Sequence, residues 1–115
     1  TPDPSRPLFM VAQSLDARPI GDLAAFARRA LEETRGFSGL AVTGEQSLTI
    51  AGQAAVEHLA SAKEARENTA VNLFQVTLGM PGGGYLRVMG QATPADWERL
   101  LPEFRRMAAS LRLKP

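Results

Sequence analysis

The alternation of apolar and polar positions along this chain predicts a strand, a helix, three or four further strands and a last helix. Leu8 to Ala12 is a short apolar run with room for one strand. A helix follows, because apolar residues recur with helical spacing at Leu23, Phe26, Ala27, Ala30 and Leu31. Asp22 is the expected N-terminal cap of this helix, and Gly36 is its expected terminator.

The middle of the chain predicts an antiparallel meander. Gly39 to Ile50 has the pattern of one or two strands, with a bulge or turn at Gly44. A second segment, from Gln53 to about Ala62, alternates between two faces, and the polar run from Lys63 to Asn68 connects it to the next strand. Because these strands follow one another through short turns, neighbours in sequence should be neighbours in the sheet.

A β-hairpin is predicted from Asn72 to Ala92, with its turn at Pro81-Gly82-Gly83-Gly84. The turn allows two registers, and one of them would place apolar side chains opposite polar ones. The other register keeps one face of the hairpin apolar, and a slip by one residue would flip every side chain. We therefore predict that Leu78 pairs with Leu86, Val76 with Val88 and Thr77 with Arg87.

The chain ends in a second predicted helix. Thr93 suits the N-cap, and Pro94 suits the first helical position. The apolar stripe from Trp97 to Leu111 is expected to face the core. Pro102 interrupts this stripe and has no backbone N–H, so we expect either a kink or a second helix that begins there.

These elements predict an α+β fold, an antiparallel meander sheet covered by two main helices. A length of 115 residues is typical of one domain. We assign residues 8–115 to a single domain and residues 1–7, which include three prolines, to a tail or linker.

Composition narrows the range of functions. A net charge of +1 gives no basic field for a phosphate backbone, so nucleic acid is not an expected partner. No apolar run is long enough to predict a transmembrane segment. The absence of cysteine excludes disulfides, thiol catalysis and thiolate metal sites. Because the first residue is Thr1 rather than methionine, we expect a removed leader or a cut from a longer protein.

The sequence predicts no catalytic residue, metal site or cofactor. His58 is the only histidine, and the adjacent Glu57 points to the other face of its strand. A catalytic or metal-binding histidine needs convergent partners, so we expect a hydrogen-bonded, partly buried His58, with a functional histidine as the alternative. The glycine run from Pro81 to Gly84 leads into a strand rather than a helix, so it predicts a turn and not a phosphate loop.

One group of polar side chains, the polar row, is a candidate binding site. Most of its members share the polar face of the predicted hairpin, and Glu57 would join them if its strand lies beside that hairpin. The polar row consists of Glu57, Gln75, Thr77, Tyr85, Arg87 and Gln91. A purely structural sheet face is usually richer in β-branched residues, so this row could bind a polar groove or a peptide. A solvent-exposed face without function is the preferred interpretation, and the binding site is the alternative.

Four local motifs, taken with the order of the elements, point to a known superfamily. They are the Gly21-Asp22-Leu23 helix start, the strand turn from Leu48 to Ala55, the strand from Tyr85 to Ala92, and Ala109-Ser110-Leu111. Together they resemble the PsbP-like superfamily, over about Leu8 to Leu113. That superfamily includes the extrinsic photosystem II subunit, a Ran-binding nuclear import factor, DcrB-type bacterial envelope lipoproteins and Eag-type chaperones of type VI secretion effectors.

The resemblance implies an α/β/α sandwich with a non-catalytic binding or assembly role, and it carries over no catalytic residue. The chain departs from the superfamily at its N-terminus, where members usually have an additional strand and this chain has only residues 1–7. The strand from Leu8 to Ala12, or its neighbour, should therefore have an unpaired edge. Such an edge invites homodimerisation by strand pairing or strand addition by a partner peptide.

Three functional hypotheses follow. The preferred one is a non-catalytic binding or assembly module of the bacterial envelope, a periplasmic or lipoprotein domain with a protein or peptide partner. The alternative is a cytoplasmic chaperone-like domain that holds an apolar helix of a secreted effector, which a large exposed apolar patch on the sheet would favour. A small hydrolase ranks last, because the sequence offers no histidine-based triad or metal cluster.

Overall fold

The computed structural model describes residues 22–79 and 84–110 in full, together with the backbone of residues 8–14. Its elements, in chain order, are β1 Leu8–Ser14, α1 Leu23–Glu32, β2 Phe37–Ile50, β3 Gln53–Glu64, β4 Thr69–Gly79, β5 Tyr85–Ala92 and α2 Pro94–Ala109. The predicted α+β class and element order are confirmed. The expected tail at residues 1–7 and the Pro81-Gly82-Gly83 part of the turn lie outside the described residues.

The five strands form one antiparallel sheet in the order β1-β5-β4-β3-β2. Strands β2 to β5 are the predicted meander, and β1 pairs along β5. In the described part of the chain, β1 and β2 are thus the two edge strands. The hairpin between β2 and β3 closes through Ala51 and Gly52, which have φ angles of 52° and 77°. Two successive positive φ angles are what a two-residue type I′ loop requires.

The hairpin of β4 and β5 has the predicted register. Leu78 pairs with Leu86, Val76 with Val88 and Thr77 with Arg87. Gly84, which ends the connecting loop, has a φ of 79°, a conformation that glycine adopts without strain. Apolar alternation alone therefore predicted correctly which side chains of this hairpin share a face.

One helix covers each face of the sheet, so the molecule has three layers. α1 packs through Leu31 against a cluster that includes Leu73. α2 packs through Phe104 against a cluster that includes Phe74 and Val76. Because Leu73 and Phe74 are adjacent on β4 and side chains alternate along a strand, the two helices lie on opposite faces.

The two predicted helix starts are observed. Asp22 caps α1 by accepting a hydrogen bond from the backbone N–H of Ala25 at 3.2 Å. Thr93 precedes α2 but does not cap it through its side chain. α2 continues through Pro102 as one helix, so a second helix beginning there is wrong. Pro102 is exposed, and water can therefore satisfy the Glu98 carbonyl that has lost its donor.

The described surface has little exposed apolar area. Met107, at 40% exposure, is the one large hydrophobic side chain of the described residues that is open to solvent. Trp97 is half-buried and packs edge-on against Phe104, with ring centroids 6.3 Å apart. No helix in the described part of the chain is long and apolar enough to cross a membrane.

Candidate functional site

The centre of the polar row lies beneath α1 and ties that helix to the sheet. Gln75 is fully buried, and its Nε2 donates to the carbonyl of Ala27 at 2.8 Å. Arg87 donates from Nε to Oε1 of Gln75. Its Nη2 donates to the carbonyl of Ala30 at 3.2 Å and to Oγ1 of Thr34 at 2.7 Å. Burial lowers the pKa of the Arg87 guanidinium.

The expectation that this face is open to solvent is therefore wrong. Buried polar groups need hydrogen-bond partners, and the α1 carbonyls of Ala27 and Ala30 supply them for Gln75 and Arg87. Thr77 is also fully buried, and Tyr85 packs edge-on against Phe26 of α1, with ring centroids 4.9 Å apart. Gln91 lies further along the same face, opposite Leu73, and takes no part in these bonds. A ligand would have to displace α1 to reach the centre of the polar row.

Glu57 does not join the polar row. Its strand does lie beside the hairpin, but Glu57 pairs with Val76, whose side chain faces α2. Two hydrogen bonds from Arg105 of α2 hold its carboxylate, Nε to Oε1 at 2.9 Å and Nη2 to Oε2 at 3.0 Å. The hydrogen bond to Glu57 raises the pKa of Arg105. The pairing between β3 and β4, which strand composition did not reveal, decides the face on which Glu57 lies.

His58 is fully buried and has a partner that the sequence did not identify. Its Nε2 lies 2.8 Å from Oε1 of Glu45, which stands directly opposite on β2. Register shifts earlier in β2 determine that pairing, so spacing along the chain could not predict it. Among the described residues, Nδ1 of His58 and Oγ1 of Thr77 are buried without a hydrogen-bond partner. No three metal-ligating side chains come together in the described part of the chain.

The other face of the sheet carries an open cleft of about 210 Å³ between α2 and the β2 side of the sheet. α2 packs mainly on β4 and β5, which leaves the adjoining surface of β2 and β3 beside it. Apolar side chains form the floor, namely Leu48, Ile50, Phe74 and Val76. Ala108 and Ala109 form part of the α2 wall, and their small side chains leave room between helix and sheet.

One ion pair joins the floor of the cleft to its wall. Glu57 rises from the floor with 4% exposure, whereas the side chain of Arg105 on the wall is 47% exposed. The cleft therefore combines apolar lining with a fixed pair of opposite charges at one side. Small-ligand and peptide sites typically have this composition, because apolar contacts supply affinity and a few polar groups fix orientation. We take the cleft as the candidate site.

Comparisons with known proteins bear on the fold. No protein-family model matches this chain, and no curated protein does. The crystal structure of PA94 from Pseudomonas aeruginosa, a protein of unknown function whose description proposes a regulatory role, is similar to it. The sequences are 22% identical, the TM-score is 0.75, and the match covers 99% of this chain and 78% of that chain. At this identity the likeness concerns the fold alone.

The variant Arg105→Ala should lower the free energy of unfolding by about 2 kcal/mol, because it leaves the buried Glu57 carboxylate without its partner. The half-exposed position of Arg105 keeps the loss below that of a fully buried pair. Urea unfolding measures the change. The neighbouring Arg106→Ala is the matched control, since Arg106 pairs with Glu103 in solvent, and its effect should stay within about 0.5 kcal/mol. Equal effects of the two variants would contradict the importance of the Glu57 pair.

Proposed function

We propose that the protein is a non-catalytic binding module that holds an apolar segment of a partner protein in the cleft beside α2. The observation that carries the proposal is the cleft between β2 and α2, which is lined mainly by apolar side chains and lies next to the pair of Glu57 and Arg105. In the cleft, the two ionisable groups bind each other, so neither is poised as a nucleophile or base. His58 is bonded to Glu45 on the other face. This arrangement supports binding over hydrolysis.

Filling the cleft should abolish binding. Ala109 is exposed and lines the cleft, so Ala109→Trp places a large side chain there without entering the core. Ala95→Trp, at the other end of α2, is the matched control, because Ala95 is also exposed and helical. Peptides selected by display on the unmodified protein are then titrated by fluorescence anisotropy. We expect at least a tenfold loss of affinity in Ala109→Trp and none in Ala95→Trp. Equal affinities, or a selection that yields no peptide, would reject the cleft.

Membership of the PsbP-like superfamily is part of the same proposal. One helix on each face of an antiparallel sheet is the α/β/α sandwich that the resemblance implies, and it supports the assignment. Following that resemblance, we place the module in the bacterial envelope, as a periplasmic or lipoprotein domain. Fractionation of the full-length protein expressed in its own host tests this placement. Recovery with the periplasm or membranes agrees with it, and recovery in the cytoplasm rejects it.

The second candidate is a cytoplasmic chaperone-like domain for a secreted effector. The observation in its favour is the sheet surface beside α2, where Leu48 and Leu59 are only partly buried against the core. That surface adjoins the cleft, and an apolar helix could lie along both. The test is co-expression of this protein with a fusion protein that carries one apolar helix. If this candidate is correct, the unmodified protein keeps the fusion protein in solution and the Ala109→Trp variant does not.

A further inference from the structure

Within the described residues, the second half of β2 is a regular edge at the rim of the cleft. From Gly44 to Ile50, β2 pairs with β3 residue by residue, whereas register shifts interrupt the pairing before Gly44. In the part of the chain that the structure describes, β3 is the only strand that pairs with β2. We call the segment from Gly44 to Ile50 the β2 edge.

The tight turn after Ile50 fixes which backbone groups of the β2 edge point outwards. In a hairpin with a two-residue loop, the residues on either side of the loop exchange both hydrogen bonds. Ile50 and Gln53 are that pair, so Ile50 and Leu48 bond to β3, and the groups between them point away. The N–H and C=O groups of Glu45, Ser47 and Thr49 therefore face outwards from the sheet.

The β2 edge lacks the usual protection against pairing. Natural edge strands are blocked by charged side chains, lysine above all, or by proline, bulges or very short length. The β2 edge contains neither proline nor lysine, and its pairing is regular. Its one charged side chain, Glu45, is held by His58. Its outward groups are thus a template for another extended chain.

We propose that an extended segment of the partner adds to the β2 edge as an antiparallel strand. This proposal rests on the proposed function and specifies that the bound segment is a β-strand. An antiparallel strand fits because each outward residue can then exchange two hydrogen bonds with one partner residue. Partner side chains opposite Leu48 and Ile50 lie on the cleft face and are apolar. The partner residue opposite Glu45 lies on the other face and is basic, because Glu45 is the only charge on this edge.

A short probe peptide tests the pairing directly. Its sequence, acetyl-Val-Thr-Leu-Thr-Gln-Lys-amide, lies antiparallel opposite Ile50, Thr49, Leu48, Ser47, Gln46 and Glu45. Hydrogen exchange of single amides is followed by NMR with and without saturating probe. The amides of Glu45, Ser47 and Thr49 should exchange at least tenfold more slowly with the probe. The amides of Gln46, Leu48 and Ile50, which already bond to β3, should not change.

Two matched pairs of changes separate strand pairing from other contacts. N-methylation of the fourth probe residue removes the donor to Ser47 and should abolish protection. N-methylation of the third residue, whose N–H points away from β2, should not. In the protein, Ser47→Pro removes an outward N–H and should prevent binding, whereas Ser47→Ala retains that N–H and should bind normally. The methylated probes decide the question if Ser47→Pro does not fold.

Three outcomes would overturn the inference. Probe binding that shifts the signals of Ala108 and Ala109 without protecting the outward amides would remove strand addition and leave the cleft function intact. Protection without probe, growing with protein concentration, would replace the partner by a second copy of this chain. No binding of the probe at millimolar concentration would reject the edge. The cleft is judged separately, by the peptide selection and by the affinity of the Ala109→Trp variant.

Discussion

Replacing Phe104 by alanine should lower the free energy of unfolding by about 3–5 kcal/mol, among the largest effects of a single truncation in this protein. Phe104 is 2% exposed and connects α2 to the sheet. Its ring lies 5.9 Å from that of Phe74 and 6.3 Å from that of Trp97, measured between centroids. Truncation therefore leaves a cavity at the centre of the α2 face. Urea unfolding monitored by Trp97 fluorescence measures the loss.

Gly90 provides an independent check of the same contact. A Cβ built at Gly90 would lie 2.8–2.9 Å from the Phe104 ring, closer than real packing allows. Gly90→Ala should therefore destabilise by about 1–3 kcal/mol through overpacking. Gly79→Ala is the control, because its Cβ would meet nothing within 4 Å. A smaller side chain at position 104 should relieve the clash. Gly90→Ala should therefore lower the free energy of unfolding by less in a Phe104→Leu background. Equal losses at both glycines would contradict this packing.

The elements that the sequence predicted well are those whose pattern of apolar and polar residues is compatible with only one structure. The helical spacing from Leu23 to Leu31 has a single interpretation, and α1 forms there. The hairpin register of β4 and β5 was equally well determined, because a slip of one residue would have buried Arg87 among leucines and valines. Pro102 was misleading. Its nitrogen has no hydrogen to donate, but α2 continues through it, because Pro102 lies on the exposed side of the helix where the loss of one hydrogen bond is tolerated.

The candidate site was not predictable, because alternation shows which residues share a face but not what covers that face. Gln75 and Arg87 were grouped correctly, yet they bind the carbonyls of α1. Glu57 was assigned to the wrong face, since the pairing of β3 with β4 sets its orientation. The cleft combines residues from β2, β3, β4 and α2, and no local signal joins them. Tertiary arrangement decided each of these points.

The two faces of the sheet therefore differ in how their helix is attached. On the α1 face, Gln75 and Arg87 donate hydrogen bonds to carbonyls of the helix, so they fix where α1 lies. On the α2 face, the helix packs on β4 and β5 and leaves a cleft towards β2. A rigid attachment on one face and an accessible cleft on the other suit a module that binds without large rearrangement.

The attachment on the α1 face leads to the second large effect. Arg87→Ala should lower the free energy of unfolding by about 2–4 kcal/mol, because it removes a charged donor and leaves Oε1 of the buried Gln75 unpaired. Arg87→Lys should recover only part of this loss, since one ammonium cannot reproduce the separate bonds to Gln75 and Thr34. Arg28→Ala is the control, because the pair of Arg28 and Glu32 is exposed and should contribute within about 0.5 kcal/mol.

Hydrogen exchange shows whether the destabilisation in Arg87→Ala is confined to α1, as the contacts of Arg87 predict. Amides of α1 should lose more protection than those of α2, because Arg87 binds only the former helix and the sheet. The double variant Gln75→Leu with Arg87→Leu should be less destabilised than the sum of its single changes, since it leaves neither polar partner unpaired. Uniform loss of protection across both helices, together with additive single changes, would show that the Gln75 and Arg87 network does not hold α1 in place.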